Sequence, residues 1–157
     1  MLGDLLYSLK DSEFLFNLFG YISFRSGLSL VTSFFIILVF MPYWIRLQHN
    51  IFPSGQPIRN DGPDTHYQKR GTPTFGGVLI LFSIILSSIL WTSNFSNFNY
   101  ILILTLILFG LIGFFDDFQK VKLRKGISSK IKFLSQLLAT LVIYFTIKFY
   151  GLSLIHI

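Results

Sequence analysis

Two carboxylates, Asp116 and Asp117, stand side by side directly after the apolar run Gly110-Leu111-Ile112-Gly113-Phe114-Phe115. At the end of a membrane segment such a pair is costly unless it is solvated, paired or bound to a cation. Adjacent residues on a helix point about 100° apart, so the two cannot easily share one role. One can serve a metal, Asp116 being the candidate, while the other takes a proton or orients a lysine. Beside phosphate substrates, paired carboxylates usually serve Mg²⁺, which prefers oxygen ligands and keeps some of its waters. The plain alternative is a helix end reaching water, with Lys120 and Lys122 neutralising the acids. Acids at a helix C-terminus oppose the macrodipole, so that placement is not favourable by default.

A second constellation runs from Asn60-Asp61-Gly62-Pro63 through His66, Lys69 and Arg70 to Gly71-Thr72-Pro73-Thr74-Phe75-Gly76-Gly77. Asp-Gly-Pro signals a turn. Gly71-Thr72-Pro73-Thr74 then opens an apolar helix. Free N–H groups, a positive dipole end, two hydroxyls and Lys69-Arg70 together make an anion site. Gly76 and Gly77 allow close approach of a helix or a ligand. Equally, Thr caps helices, Pro favours their first turn, and Lys-Arg flanks membrane ends. The third element is the basic stretch Lys120 to Lys132, with six cations in thirteen residues. It can hold phosphates, meet anionic lipid heads or simply fix topology. Lys132 is the member best placed to reach inward. His49 and His66 have no metal-ligand spacing to another His or Cys and read as solvated loop residues.

The elements that must position these groups are apolar. Of 157 residues, 52% are hydrophobic and 13% charged, with 19 Phe and no Cys. Mean hydropathy is +0.64. Disorder, a disulfide or zinc framework and cysteine catalysis are excluded, and a cytosolic globular enzyme is not expected. The fold class is all-α, a polytopic membrane protein. Four spans of about 20 apolar residues or slightly fewer are predicted, near 26–45, 74–91, 100–115 and 133–150. Phe14 to Tyr21 reads as an interfacial segment, and no signal-peptide pattern precedes it. The net charge of +6 reports topology, not nucleic acid. The segments 46–72 and 116–132 carry 10 of the 13 Lys and Arg, which makes both cytoplasmic and the N-terminus external. Leu152-Ser153-Leu154-Ile155-His156-Ile157 reads as an in-frame translation of a sequencing-adapter end. The natural sequence is then expected to depart near Gly151, and His156 carries no role. A genuine apolar end to the fourth span is the alternative.

The string from Arg59-Asn60-Asp61-Gly62-Pro63 through His66 and Lys69 to Gly71-Thr72-Pro73-Thr74-Phe75-Gly76-Gly77 resembles the N-terminal signature of the MraY family, the phospho-N-acetylmuramoyl-pentapeptide transferases. Gly110 to Val121 resembles the family's aspartate-pair motif. Lys125-Gly126-Ile127 with Lys130, Lys132 and Gln136 resembles the segment entering its fourth helix. Phe75 stands where the family usually has Met. The resemblance implies a fold of about ten membrane helices in a bacterial inner membrane, of which four are represented here. It implies transfer of phospho-N-acetylmuramoyl-pentapeptide from UDP to undecaprenyl phosphate, giving lipid I and UMP in peptidoglycan synthesis, with Mg²⁺ as cofactor. It implies Asp116 and Asp117 in the catalytic centre, with Lys69, Thr74 and Lys132 in the phosphate and nucleotide region, and it allows a homodimer. A third carboxylate and a His-rich loop belong to later parts of the family, so this chain alone is expected to be inactive. The rivals are a polyprenyl-phosphate N-acetylhexosamine-1-phosphate transferase and a non-catalytic membrane module.

Overall fold

The computed structural model describes residues 2–11, 13–52, 74–93, 96–123 and 125–150. Of these, 86% are helical, and no strand occurs among them. The helices are α1 (Leu2–Tyr7), α2 (Ile22–Ile51), α3 (Gly76–Trp91), α4 (Asn97–Leu123) and α5 (Ser129–Phe149), with a 3-10 helix at Phe14–Gly20 between the first two. By length and composition α2, α4 and α5 can each cross a membrane. The shorter, apolar α3 has 16 residues, about 24 Å of rise, and is the fourth candidate span.

The all-α membrane architecture expected from composition is therefore present, with the bounds of three helices moved. α2 runs from Ile22 to Ile51, well beyond 26–45 at both ends. Its extra turns carry Arg25 and Gln48, both buried. α4 continues through the aspartate pair to Leu123 instead of stopping at Phe115, so residues 116–123 are helix, not loop. Lys120 bridges Asp116 at i+4 and Asp117 at i+3, each at 2.9 Å, which ties the last turns together. Lys120 and Lys122 then occupy the final turn, where cations suit the dipole. The opposing field has decayed by the time the chain is read back to the aspartates. α5 begins at Ser129, four residues before the predicted start, because Ser128 is extended and its hydroxyl accepts from the Ile131 N–H.

The core is small, and much of the apolar surface is exposed. Phe133 and Phe149, for example, stand on the outside of α5. That inversion suits a helix bundle solvated by lipid. α2 and α3 pack antiparallel over most of their length, and α5 packs on α4. The α2–α3 seam uses small residues. Ser83 is 0% and Ser87 1% exposed, and their hydroxyls donate to the carbonyls of Ile80 and Ile84, so neither is left unsatisfied.

At one end of the bundle the 3-10 helix folds over the seam. This is the segment predicted as interfacial. The Phe19 ring stacks on Trp91 at 6.0 Å, and Trp91 Nε1 donates to Thr32 Oγ1 at 3.1 Å. Arg25 Nη1 meets Asp4 Oδ1 at 2.8 Å, and Arg25 Nε donates to the Phe19 carbonyl. A buried guanidinium thus joins α1, the 3-10 helix and α2. The short α1 was not anticipated.

At the opposite end, the start of α3 meets the end of α4. Phe75 lies 5.4 Å from Phe52 and 5.4 Å from Phe114, ring centre to ring centre. Phe114 in turn lies 6.1 Å from Phe118. Thr74–Gly77, the described part of the second segment, and the end of α4 that carries the aspartate pair therefore share one end of the bundle.

Candidate active site

Asp116 is the centre of the site. It is only 6% exposed, and both carboxylate oxygens are engaged. Oδ1 accepts the Ile127 N–H at 3.0 Å. Oδ2 meets Lys120 Nζ at 2.9 Å and Lys132 Nζ at 3.2 Å. Asp117, one residue on, turns outward, with its side chain 32% exposed. Its Oδ1 also meets Lys120 Nζ at 2.9 Å, and its Oδ2 has no partner among the described residues. The 100° step between neighbours has thus separated the pair into a buried, fully bonded carboxylate and an open one. Two carboxylates face two ammonium groups, so the cluster sums to zero charge.

Each lysine arrives by a different route. Lys120 comes from the same helix face one turn on. Lys132 comes from the first turn of α5, which Ser128 brings close by starting that helix early. Gly126 makes the turn between them tight. A Cβ there would sit 2.9 Å from Asp116 Oδ1 and 3.2 Å from Lys120 Cε. Gly126→Ala is therefore expected to push the Asp116 carboxylate off its partners and to lower stability by about 1–3 kcal/mol, the range for overpacking. A thermal-unfolding comparison in detergent checks this, and an unchanged midpoint would contradict it.

Thr74 lies at the approach to α3, one residue before the Phe75 N-cap. Its Oγ1 is buried without a hydrogen-bond partner among the described residues. Two residues on α2 that the sequence reading passed over hold this approach. Trp44 Nε1 donates to the Phe75 carbonyl at 3.0 Å, and the Phe75 N–H donates to Gln48 Oε1 at 3.3 Å. Trp44 and Gln48 stand four apart, one above the other on the same face of α2. That spacing of two hydrogen-bonding side chains at the end of an apolar helix was the available signal. Lys69, Arg70 and His66 lie outside the described residues. His49 is exposed near the end of α2, as a solvated histidine should be. The adapter-like string 152–157 also lies outside the described residues.

Among the described residues, no group of three or more His, Asp or Glu side chains converges on a metal position. Asp116, the expected metal ligand, already has both oxygens hydrogen-bonded, whereas Asp117 keeps one oxygen open. Mg²⁺ is commonly held by one or two carboxylates together with substrate phosphates and water. Asp117 fits that pattern as the protein's contribution.

No protein-family profile matches the chain. Comparison with curated proteins is decisive instead. A phospho-N-acetylmuramoyl-pentapeptide-transferase of Desulforapulum autotrophicum is 42% identical over 149 residues, covering 94% of this chain and 41% of the relative. The protein of that name from Thermodesulfovibrio yellowstonii is 40% identical, covering 94% of this chain and 42% of its own length. That of Rickettsia prowazekii is 38% identical, covering 100% and 44%. The chain belongs to the MraY family. It spans about two-fifths of the length of the curated relatives it matches, in agreement with an N-terminal portion of MraY. The aspartate pair and the Thr74 helix start, which carry the MraY resemblance, are the two segments that the bundle brings to one end.

Proposed function

We propose that this chain supplies the N-terminal part of an MraY-type transferase in a bacterial inner membrane. The reaction moves phospho-N-acetylmuramoyl-pentapeptide from UDP to undecaprenyl phosphate. A lipid phosphate oxygen bonds to the sugar-linked phosphorus, the bond from that phosphorus to the UMP oxygen breaks, and lipid I and UMP result. The observation that carries the reading is the neutral Asp116–Asp117–Lys120–Lys132 cluster, set at the same bundle end as Thr74. Both substrates are phosphate anions, so charge neutralisation and positioning dominate the catalysis.

Within this reading, Lys120 and Lys132 are held ready by Asp116 and turn toward incoming phosphate oxygens. Asp116 orients the two lysines and the α4–α5 turn. Asp117 offers its open oxygen to Mg²⁺. When bound, Mg²⁺ supplies neutralisation of phosphate charge. Lys69 contributes a further cation beside Thr74. Both motif segments face the cytoplasm, where UDP-linked substrates are found, and the N-terminus is external. A homodimer is compatible with the apolar faces left uncovered by the described residues.

The test uses two proteins in parallel. One is the 157-residue chain. The other joins residues 1–150 to the remaining portion of the Desulforapulum autotrophicum relative. The joined protein is expected to form lipid I from UDP-N-acetylmuramoyl-pentapeptide and not to use UDP-N-acetylglucosamine. The 157-residue chain is expected to form none, because half a cleft cannot preorganise the transition state. Turnover of UDP-N-acetylglucosamine alone would move the assignment to the sibling N-acetylhexosamine-1-phosphate transferases.

A further inference from the structure

α3 starts on a residue that cannot cap it. Phe75 is the N-cap, where Ser, Thr, Asp or Asn would ordinarily take up a free N–H group, and its own side chain makes no capping bond. The helix start is secured from another helix instead. Gln48 Oε1 accepts the Phe75 N–H at 3.3 Å, and Trp44 Nε1 donates to the Phe75 carbonyl at 3.0 Å. That carbonyl also accepts the Val78 N–H at 3.2 Å, so it serves the first turn of α3 as well. Two side chains one turn apart on α2 thus grip both polar groups of one residue. Gln48 and Phe75 are both buried, which shields the grip from competing water.

Phe75 carries this grip onward through its ring. On one side the ring lies 5.4 Å from Phe52, the C-cap of α2. On the other it lies 5.4 Å from Phe114 of α4, and Phe114 stacks on Phe118 at 6.1 Å. Phe114 and Phe118 stand one turn apart and bracket Asp116 and Asp117 in sequence. A continuous set of contacts therefore runs from Trp44 and Gln48, through Phe75, to the turn of α4 that bears the aspartate pair. Only two side-chain atoms at its α2 end form hydrogen bonds to Phe75, Gln48 Oε1 and Trp44 Nε1. Gln48 Nε2 has no partner among the described residues.

On this basis we infer that Gln48 and Trp44 are positioning residues for the transferase: by fixing the Phe75 peptide they set where the start of α3 stands against the turn of α4 that carries Asp116 and Asp117. Neither touches a reacting atom. Both act through Phe75, whose backbone they hold and whose ring meets Phe114. Displacement of a reacting group by about 1 Å can cost up to about 10²-fold in rate, so a slack Phe75 peptide is felt at the aspartate pair. The effect on turnover rests on the transferase reading; the geometry does not.

The experiment has two arms. Gln48→Leu removes the acceptor, Trp44→Phe removes the donor, and Gln48→Glu keeps the acceptor beside the positive end of α3. The first arm uses the 157-residue chain in phosphatidylcholine nanodiscs and reads the nuclear Overhauser contact between the Phe75 and Phe114 rings. Gln48→Leu and Trp44→Phe are expected to weaken that contact, and Gln48→Glu to retain it. The second arm uses the protein that joins residues 1–150 to the remainder of the Desulforapulum autotrophicum relative. There Gln48→Leu is expected to lower kcat for lipid I about tenfold, with Gln48→Glu restoring it. Placed on Asp117→Asn, the same Gln48→Leu change should cost less than about twofold, because the group it positions is gone. A clamp that only stabilises the fold would cost the same in both backgrounds, and that result overturns the proposal. So does an unchanged ring contact in folded Gln48→Leu and Trp44→Phe. Where Gln48→Leu fails to fold, Trp44→Phe carries both arms. If the joined parent makes no lipid I, the transferase reading has failed, and the ring contact alone decides whether Gln48 and Trp44 position the α4 turn.

Discussion

Asp117→Asn, introduced into the protein that joins residues 1–150 to the remainder of the Desulforapulum autotrophicum relative, is expected to cut lipid I formation by about 10²–10³-fold. That is the loss typical of removing one preorganised electrostatic group. The fold should survive. Among the described residues Asp117 is tied only to Lys120, and it is 32% exposed, so an amide can occupy its place without burying an unmet charge. The thermal midpoint should stay near that of the parent. A large loss of turnover with an unchanged midpoint separates chemistry from stability. Full turnover at an unchanged midpoint would remove the Asp117 carboxylate from the reaction.

Asp116→Ala should show the opposite pattern, a loss of stability as well as activity. The substitution strands the Lys132 ammonium and the Ile127 N–H around a vacated position and leaves Lys120 to Asp117. Breaking a buried charge pair by removing one partner costs about 3–5 kcal/mol. The lower end applies here, because Lys132 is 44% exposed and can rotate its head into water. Unfolding in detergent measures the effect. Adding Lys132→Met to Asp116→Ala should recover about 1 kcal/mol, since the stranded cation is then gone. If the double variant is no more stable than Asp116→Ala, the Asp116–Lys132 contact contributes nothing to the fold.

These two expectations differ because neighbouring residues have been given different surroundings. That separation is half legible in the sequence. Helical geometry alone says that Asp116 and Asp117 diverge. It does not say which one turns inward, because that depends on where α5 lies. The inward carboxylate is the one that Lys132 and Ile127 can reach, and both belong to a chain segment eleven to sixteen residues away.

Apolar runs, the placement of Lys and Arg and the motif strings determined the membrane class, the four candidate spans and the residue types available for chemistry. These are local properties, since a run of about 20 apolar residues spans a bilayer whatever packs beside it. Helix ends were less legible. α4 passes Asp116 because Lys120 pairs back onto the acids, and α5 starts at Ser129 because Ser128 caps it. Both causes are readable once the i,i+4 pair and the cap are sought. Only the tertiary structure could bring Gln48 and Trp44 onto the Phe75 peptide, across 27 and 31 residues. It alone could join the start of α3 to the end of α4 through Phe75 and Phe114. Such contacts depend on how antiparallel helices register against one another, and that register is set by the summed packing of whole faces, which no single segment encodes.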